Sequence, residues 1–200
     1  MSKYKTLLRV ALTATIALIM ASCGPFSIRE RSIILRSGNV MQVMVMPQDS
    51  AVLRARSVDL SGRELRSSEL KTLAAKMLTT VQDPSQDGVG IAAPQVGINK
   101  RVICVMRYDK PGEPFEVYYN IYIDTLCGAV GIGPEGCLSV PGWYGLVPRH
   151  ECAVVRYIDP ASLAERIDTV HGYTAIIFQH EIDHLEGILY TDRADSLWRP

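Results

Sequence analysis

Along the chain the apolar positions change their period several times, and each change marks an element. From residue 70 onward, Leu70, Leu73, Ala74, Met77, Leu78 and Val81 recur at intervals of three and four, which predicts an amphipathic helix. Ser61-Gly62-Arg63-Glu64 ahead of it has the spacing of a capping box, and Asp83-Pro84 predicts its end. Its role is packing. Short apolar runs separated by turn residues follow. Arg101 to Met106 and Phe115 to Ile123 read as strands joined at Lys110-Pro111-Gly112, and Cys152 to Ile158 and Arg166 to Val170 as strands flanking Asp159-Pro160. Val43 to Met46 and Val52-Leu53-Arg54 read as a strand and turn leading into the domain. Near the end, Ala175, Ile176, Ile177, Phe178, Ile182, Leu185, Ile188 and Leu189 suit a buried helix that Gly187 either terminates or opens to another backbone. Strands preceding one late helix predict an α+β fold, mainly antiparallel sheet packed around that helix.

Composition narrows the function classes. With 200 residues, 48% of them hydrophobic, the chain can bury one sizeable core. Lys+Arg and Asp+Glu both total 21, so no basic excess points to nucleic acid. The first residues differ in kind. Lys3, Lys5 and Arg9 precede an acid-free apolar run from Val10 to Met20, the plan of a secretory signal peptide and too short to span a bilayer comfortably. Met20-Ala21-Ser22-Cys23-Gly24 resembles a bacterial lipobox, which makes Cys23 a lipidation site. We therefore read residues 1–22 as signal peptide, 23–39 as a tether rich in Ser, Gly and Arg, and 40–200 as the domain. Loss of residues 1–22 removes three positive charges and no negative one, leaving about −3. The product would be exported and membrane-anchored. Translation from Met41, Met44 or Met46 would instead leave it in the cytoplasm.

The chemistry concentrates in Gln179-His180-Glu181-Ile182-Asp183-His184. On a helix His180 and His184 project one turn apart from the same face, close enough to hold one metal ion. Glu181, beside them, is suited to take a proton from a water and pass it on, the chemistry of metal-assisted hydrolysis. The bland alternative is an ordinary helix with two hydrogen-bonded histidines. A third ligand decides between them, and the residues after His184 offer only Asp192 and Asp195 besides Glu186, so it must come from upstream. Cys137, in the turn Pro134-Glu135-Gly136-Cys137-Leu138-Ser139-Val140-Pro141-Gly142, is a plausible soft ligand that would leave a fourth position open for water. A buried small hydrophobe is the ordinary role of a lone cysteine. With Cys23 acylated and Cys137 on metal, Cys104, Cys127 and Cys152 remain, too few for full pairing, and no disulfide framework is expected. In Gly88-Val89-Gly90-Ile91-Ala92-Ala93-Pro94-Gln95-Val96-Gly97, small residues let something approach the backbone, and Gln95 offers a neutral donor and acceptor; a sharp turn explains the segment equally well.

Three of these segments, Gly88 to Gln95, Glu135 to Ser139 and Gln179 to His184, resemble in order the three signature motifs of the peptide deformylase family. The resemblance spans roughly residues 40 to 192 and implies removal of formate from N-formylmethionyl peptides with one divalent metal, usually Fe2+, with Zn2+ or Ni2+ also accommodated. It implies Cys137, His180 and His184 as metal ligands, Glu181 as general acid/base, and Gln95 with the backbone N–H of Leu138 as donors to the developing oxyanion. Gly90 and Gly136 would pair with the substrate backbone, and Ile91 and Ile177 would line the methionine pocket. Tyr144 stands where some members carry an arginine near the peptide, which bears on preference beyond methionine. The expected partner is an N-formylated peptide, with the membrane as a second partner if Cys23 is acylated, and the protein would be monomeric. The competing readings are a metal-dependent peptidase, an exported hydrolase of another N-acyl peptide, and a lipid-anchored protein that keeps the scaffold without turnover.

Overall fold

The structure, a computed structural model, describes residues 24–86 and 88–200. The signal-peptide and lipidation readings of residues 1–23 lie outside the described residues. Among the described residues five α-helices, α1 (Ile28–Ile34), α2 (Ser50–Leu53), α3 (Gly62–Leu65), α4 (Ser68–Val81) and α5 (Gly172–Leu185), accompany one sheet. Its strands are β1 (Gly90–Ala92), β2 (Val102–Met106), β3 (Phe115–Gly136), β4 (Tyr144–Ile158), β5 (Glu165–His171) and β6 (Ser196–Trp198). They pair in the order β1-β2-β3-β4-β5, with β6 added to β4, and every pairing is antiparallel. The fold is α+β.

Strand alternation explains where the core sits. In β2, Val102 and Cys104 join the cluster built on Leu70, Leu73 and Met77 of α4, whereas Ile103 and Val105 join the cluster built on Ala175, Phe178 and Ile182 of α5. A strand covered on both faces reads as an unbroken apolar run, and Val102-Ile103-Cys104-Val105-Met106 does. Helix α5 is buried nearly all round and is tied to β4 by Gln179, which donates from Nε2 to the His150 carbonyl at 2.7 Å and accepts from the His150 N–H at 3.1 Å. Gly187 follows the helix at φ 74°, with the Arg54 carbonyl occupying the space a Cβ would take. Both roles expected of this glycine hold, since a side chain there would be strained and would meet backbone.

Several boundaries differ from the sequence reading. The capping box of Ser61 and Glu64 forms, but it opens the short α3; the long helix has its own cap, Ser67, whose hydroxyl accepts from Leu70 N–H. Val52-Leu53 lies in helix α2, not a strand, and β3 and β4 run far beyond the apolar stretches that announced them. Residues 24–39 do not form a bare tether. Within them Ser27 and Glu30 form a capping box on α1, and Phe26 and Ile34 are buried in the α4 cluster. Cys127 and Cys152 are joined as a disulfide, contrary to the expectation that none is framed.

Candidate active site

The site lies where α5 passes under the ends of β1 and β3. The four-residue spacing on α5 brings the His180 and His184 rings to 5.0 Å between centroids. The turn after β3 delivers Cys137, with Sγ 3.2 Å from His184 Nε2, and one donor atom from each of the three lies within 4.8 Å of the others. One sulfur and two imidazole nitrogens form a donor set that suits a divalent transition metal with an open position.

Hydrogen bonds prepare these donors. The Ser139 N–H points at Cys137 Sγ at 3.4 Å, and Gln95 Nε2 approaches the same sulfur at 3.5 Å and Ser139 Oγ at 3.3 Å. Gln95 is oriented by its other end, where Oε1 accepts from Ala92 N–H at 2.8 Å. The preceding segment pins both loops, with Met44 N–H donating to the Gln95 carbonyl and Met46 N–H to the Ser139 carbonyl. His180 Nδ1 meets Glu135 Oε2 at 2.8 Å, which directs Nε2 toward the ligand cluster. Glu135 is held by Arg149 at 2.8 and 3.1 Å, Arg149 by Asp183 at 2.6 Å, and Asp183 by Arg193 at 2.6 and 2.7 Å. Glu135, Arg149, Asp183 and Arg193 carried no role in the sequence reading. Each pairs with a residue distant in sequence or on another element, and no local pattern marks such pairs.

Burial sets the protonation of the site. Glu181 is buried, and desolvation pushes its carboxyl up to about 7, with Glu135 adding to the rise and His180 and Arg149 opposing it. Its Oε2 has no partner among the described residues, so a proton acceptor of near-neutral affinity sits beside the ligand cluster. For Glu135 burial works against the charge, but the bonds from His180 and Arg149 prevail and bring it to about 2. Burial also opposes the cation of His180, yet Cys137 and Glu135 hold that imidazole well above its usual range. His184 is held well below the usual range by burial, then by His180, Arg149 and Arg54, and is the neutral imidazole a metal requires.

A cavity of about 510 Å³ opens over these groups. Gly90, Gln95, Gly136, Cys137, Leu138, Tyr144, Ile177, His180 and Glu181 all line it. Ile91 does not. It is fully buried in the α4 cluster, because alternation along β1 turns Gly90 toward Glu181 and therefore Ile91 to the opposite face. Tyr173 and Ile176 on the first turns of α5, together with Val89 and Trp143, line the cavity where Ile91 was expected to contribute.

The sequence profile of the family described as "Polypeptide deformylase" matches residues 40–199. The chain belongs to the peptide deformylase family. A family member named peptide deformylase from Leptospira biflexa serovar Patoc is 37% identical over 152 residues, covering 72% of this chain and 83% of that one. Among solved structures, an actinonin-bound class I type b peptide deformylase from Acinetobacter baumannii superposes with a TM-score of 0.70 at 37% identity, covering 78% of this chain and 99% of the other. The Met-Ala-Ser-bound form of that enzyme gives a TM-score of 0.69 at 38% identity, covering 77% and 98%.

Proposed function

We propose that this chain is a metal-dependent deformylase that hydrolyses the formamide of N-formylmethionyl peptides, releasing formate and a free amino terminus. The observation that carries the reading is the convergence of Cys137, His180 and His184 within 4.8 Å, with the buried Glu181 beside them, at the floor of a cavity. These three residues would hold one divalent ion, Fe2+ by family expectation with Zn2+ or Ni2+ as substitutes. When bound, that ion supplies a Lewis acid that polarises the formyl oxygen and makes water a better nucleophile.

The chain's own residues do the rest. Glu181, with a carboxyl near 7, accepts the proton of the attacking water and returns it to the amine as the C–N bond breaks. Gln95 Nε2 and the Leu138 N–H donate to the oxygen on which charge develops. Gly90 and Gly136 let the peptide backbone lie close on either side, and Ile177 with Ile176 and Tyr173 offers an apolar wall for the methionine side chain. Glu135 keeps His180 in the tautomer that presents Nε2.

The location we propose is extracytoplasmic, with residues 1–22 as signal peptide and Cys23 as lipid anchor of a monomeric enzyme; the order of charged, apolar and small residues before Cys23 supports it. The first test is formate release from formyl-Met-Ala-Ser by the full chain purified anaerobically, with metal content measured in parallel. Release that a chelator abolishes and a divalent metal restores is expected. Absence of release from protein carrying one metal per chain would move the reading to another N-acyl peptide.

A further inference from the structure

The arm formed by β3 and β4, whose tip carries Cys137, holds a covalent link whose position in the register is informative. Cys127 and Cys152 stand opposite each other and are joined. Beyond them the arm is weakly built. β2 pairs with β3 only as far as Tyr119, so the outer half of β3 has β4 as its sole partner among the described strands. Gly128, Gly131, Gly133 and Gly136 lie in that half, and a side chain at Gly131 or Gly133 would meet nothing within 4 Å. Glycine-rich, half-paired strand resists register slippage poorly.

Register nevertheless decides the site. Glu135 lies opposite Gly145, Gly133 opposite Val147 and Gly131 opposite Arg149, and this parity turns Glu135, Val147 and Arg149 inward. A slip of one residue would put Glu135 and Arg149 on opposite faces of the arm, breaking their ion pair and uncoupling whichever turns outward from its α5 partner, His180 or Asp183. Of the three places where the β3–β4 register shifts, the outermost is marked. Cys127 pairs with Cys152 but Val130 pairs with His150, so Gly128 and Ala129 together oppose Glu151, with Gly128 at φ 74°. The disulfide sits immediately before this bulge.

We propose that Cys127 and Cys152 form a maturation site: their disulfide pins the register of the arm at its bulge, holding Cys137 and Glu135 opposite His180 and His184. The partner that installs it is a protein dithiol–disulfide oxidoreductase. The Cys127 thiolate attacks that protein's disulfide, and the Cys152 thiolate then attacks the Cys127 sulfur. The oxidoreductase leaves as a dithiol carrying two electrons, and the two cysteine thiols lose two protons. Such links persist in oxidising compartments and are rare in the cytosol, which agrees with an extracytoplasmic enzyme. The pairing also leaves Cys104, which is buried, and Cys137 as the free thiols among the described residues, so Cys137 meets no competing thiol on its own arm. The register argument stands without the deformylase reading; only the metal readout below rests on it.

The test uses the full chain isolated from the bacterial envelope without reductant and alkylated in denaturant. Fragments containing Cys127 and Cys152 should be recovered linked, with Cys104 and Cys137 alkylated. Reduction of the native protein by a phosphine, and the double variant Cys127→Ser/Cys152→Ser, should each lower the thermal midpoint by about 5–10 °C. Each should also speed metal loss to a chelator about tenfold, with turnover per bound metal unchanged. Where the double variant does not fold, the phosphine-treated protein carries the comparison. Full alkylation of both cysteines in envelope protein, or an unchanged midpoint and chelation rate after reduction, would overturn the proposal. Absent formate release with the linked fragments present would count against the proposed reaction and leave the disulfide's role standing.

Discussion

A Cβ placed on Gly90 would fall 2.5 Å from Oε1 of Glu181, the carboxylate assigned to proton transfer. The strand cannot retreat, because Gly90 is paired with Val105 on β2. Gly90→Ala should therefore push Glu181 aside and lower kcat by roughly 10²-fold, since a displacement of about 1 Å is enough for such a loss. Metal content should be unchanged, as Cys137, His180 and His184 are not touched. Gly131→Ala is the matched control, because no atom lies within 4 Å of a Cβ there. Equal activity of the two variants would show that Glu181 is not held by this contact.

Glu181→Gln removes the proposed proton acceptor while keeping the size of the side chain. Turnover should fall by about 10²–10⁴-fold with one metal still bound. A variant that retains wild-type formate release would exclude Glu181 as the general base.

Arg149 lies between two buried carboxylates, Glu135 and Asp183, and is itself 5% exposed. Arg149→Leu leaves both acids without their inner cation, although Asp183 keeps Arg193. Breaking a buried pair from one side destabilises by about 3–5 kcal/mol. The freed Glu135 no longer fixes His180, so metal affinity should fall by about 10–100-fold. Urea denaturation and competition with a chelator measure the two effects separately. If stability falls and affinity does not, Glu135 orients His180 without help from Arg149.

The helix that carries His180 and His184 was legible in the sequence because its information is local. Histidines four apart and apolar neighbours at helical spacing specify both the element and the face. Cys137 was legible as the upstream cysteine within a glycine- and proline-bounded turn. The chain of Glu135, Arg149, Asp183 and Arg193 was not, since Arg149 reaches Asp183 across 34 residues of sequence and composition does not mark a buried pair. Ile91 was misplaced although strand parity could have placed it: once Gly90 faces the ligand cluster, its neighbour must face away. Helix α1 was hidden by arginines and serines of linker-like composition, yet Ser27 followed three residues later by Glu30 is the signal of a helix start.

Glu64 and Lys100 give the fold a pH dependence that is independent of the active site. Their charged atoms are 2.6 Å apart, and their side chains are 5% and 13% exposed. Burial alone would raise the Glu64 carboxyl, but the bonds from Lys100 and Ser61 prevail and hold it below its ordinary value of 4.5. A carboxyl depressed in the folded state contributes stability that is fully present above its unfolded value. That contribution is lost as pH falls through the folded value. The urea midpoint of the native chain should therefore drop more steeply below about pH 4.5 than that of Glu64→Gln, and the two curves should run parallel between pH 6 and 8. Identical slopes below pH 4.5 would show that the pair contributes nothing.

The alternative translation starts can be judged by what they would remove. A chain beginning at Met41 lacks α1, and with it Phe26 and Ile34, which are 2% and 0% exposed in the cluster formed by Leu70, Leu73 and Met77. Burying an apolar side chain of this size contributes about 1.5–3 kcal/mol, so the shortened chain should be less stable by roughly 3–6 kcal/mol. A start at Met46 goes further. It removes the Met41 N–H that donates to Thr80 Oγ1 at 2.8 Å and the Met44 N–H that donates to the Gln95 carbonyl at 2.8 Å. The second of these bonds pins the loop that aims Gln95 at the ligand cluster. Formate release per bound metal should accordingly fall for the Met46 start but not for the Met41 start, while thermal midpoints fall for both. Undiminished midpoints would mean that α1 and Phe26 are dispensable to the core and that a cytoplasmic form beginning at Met41 is physically sound.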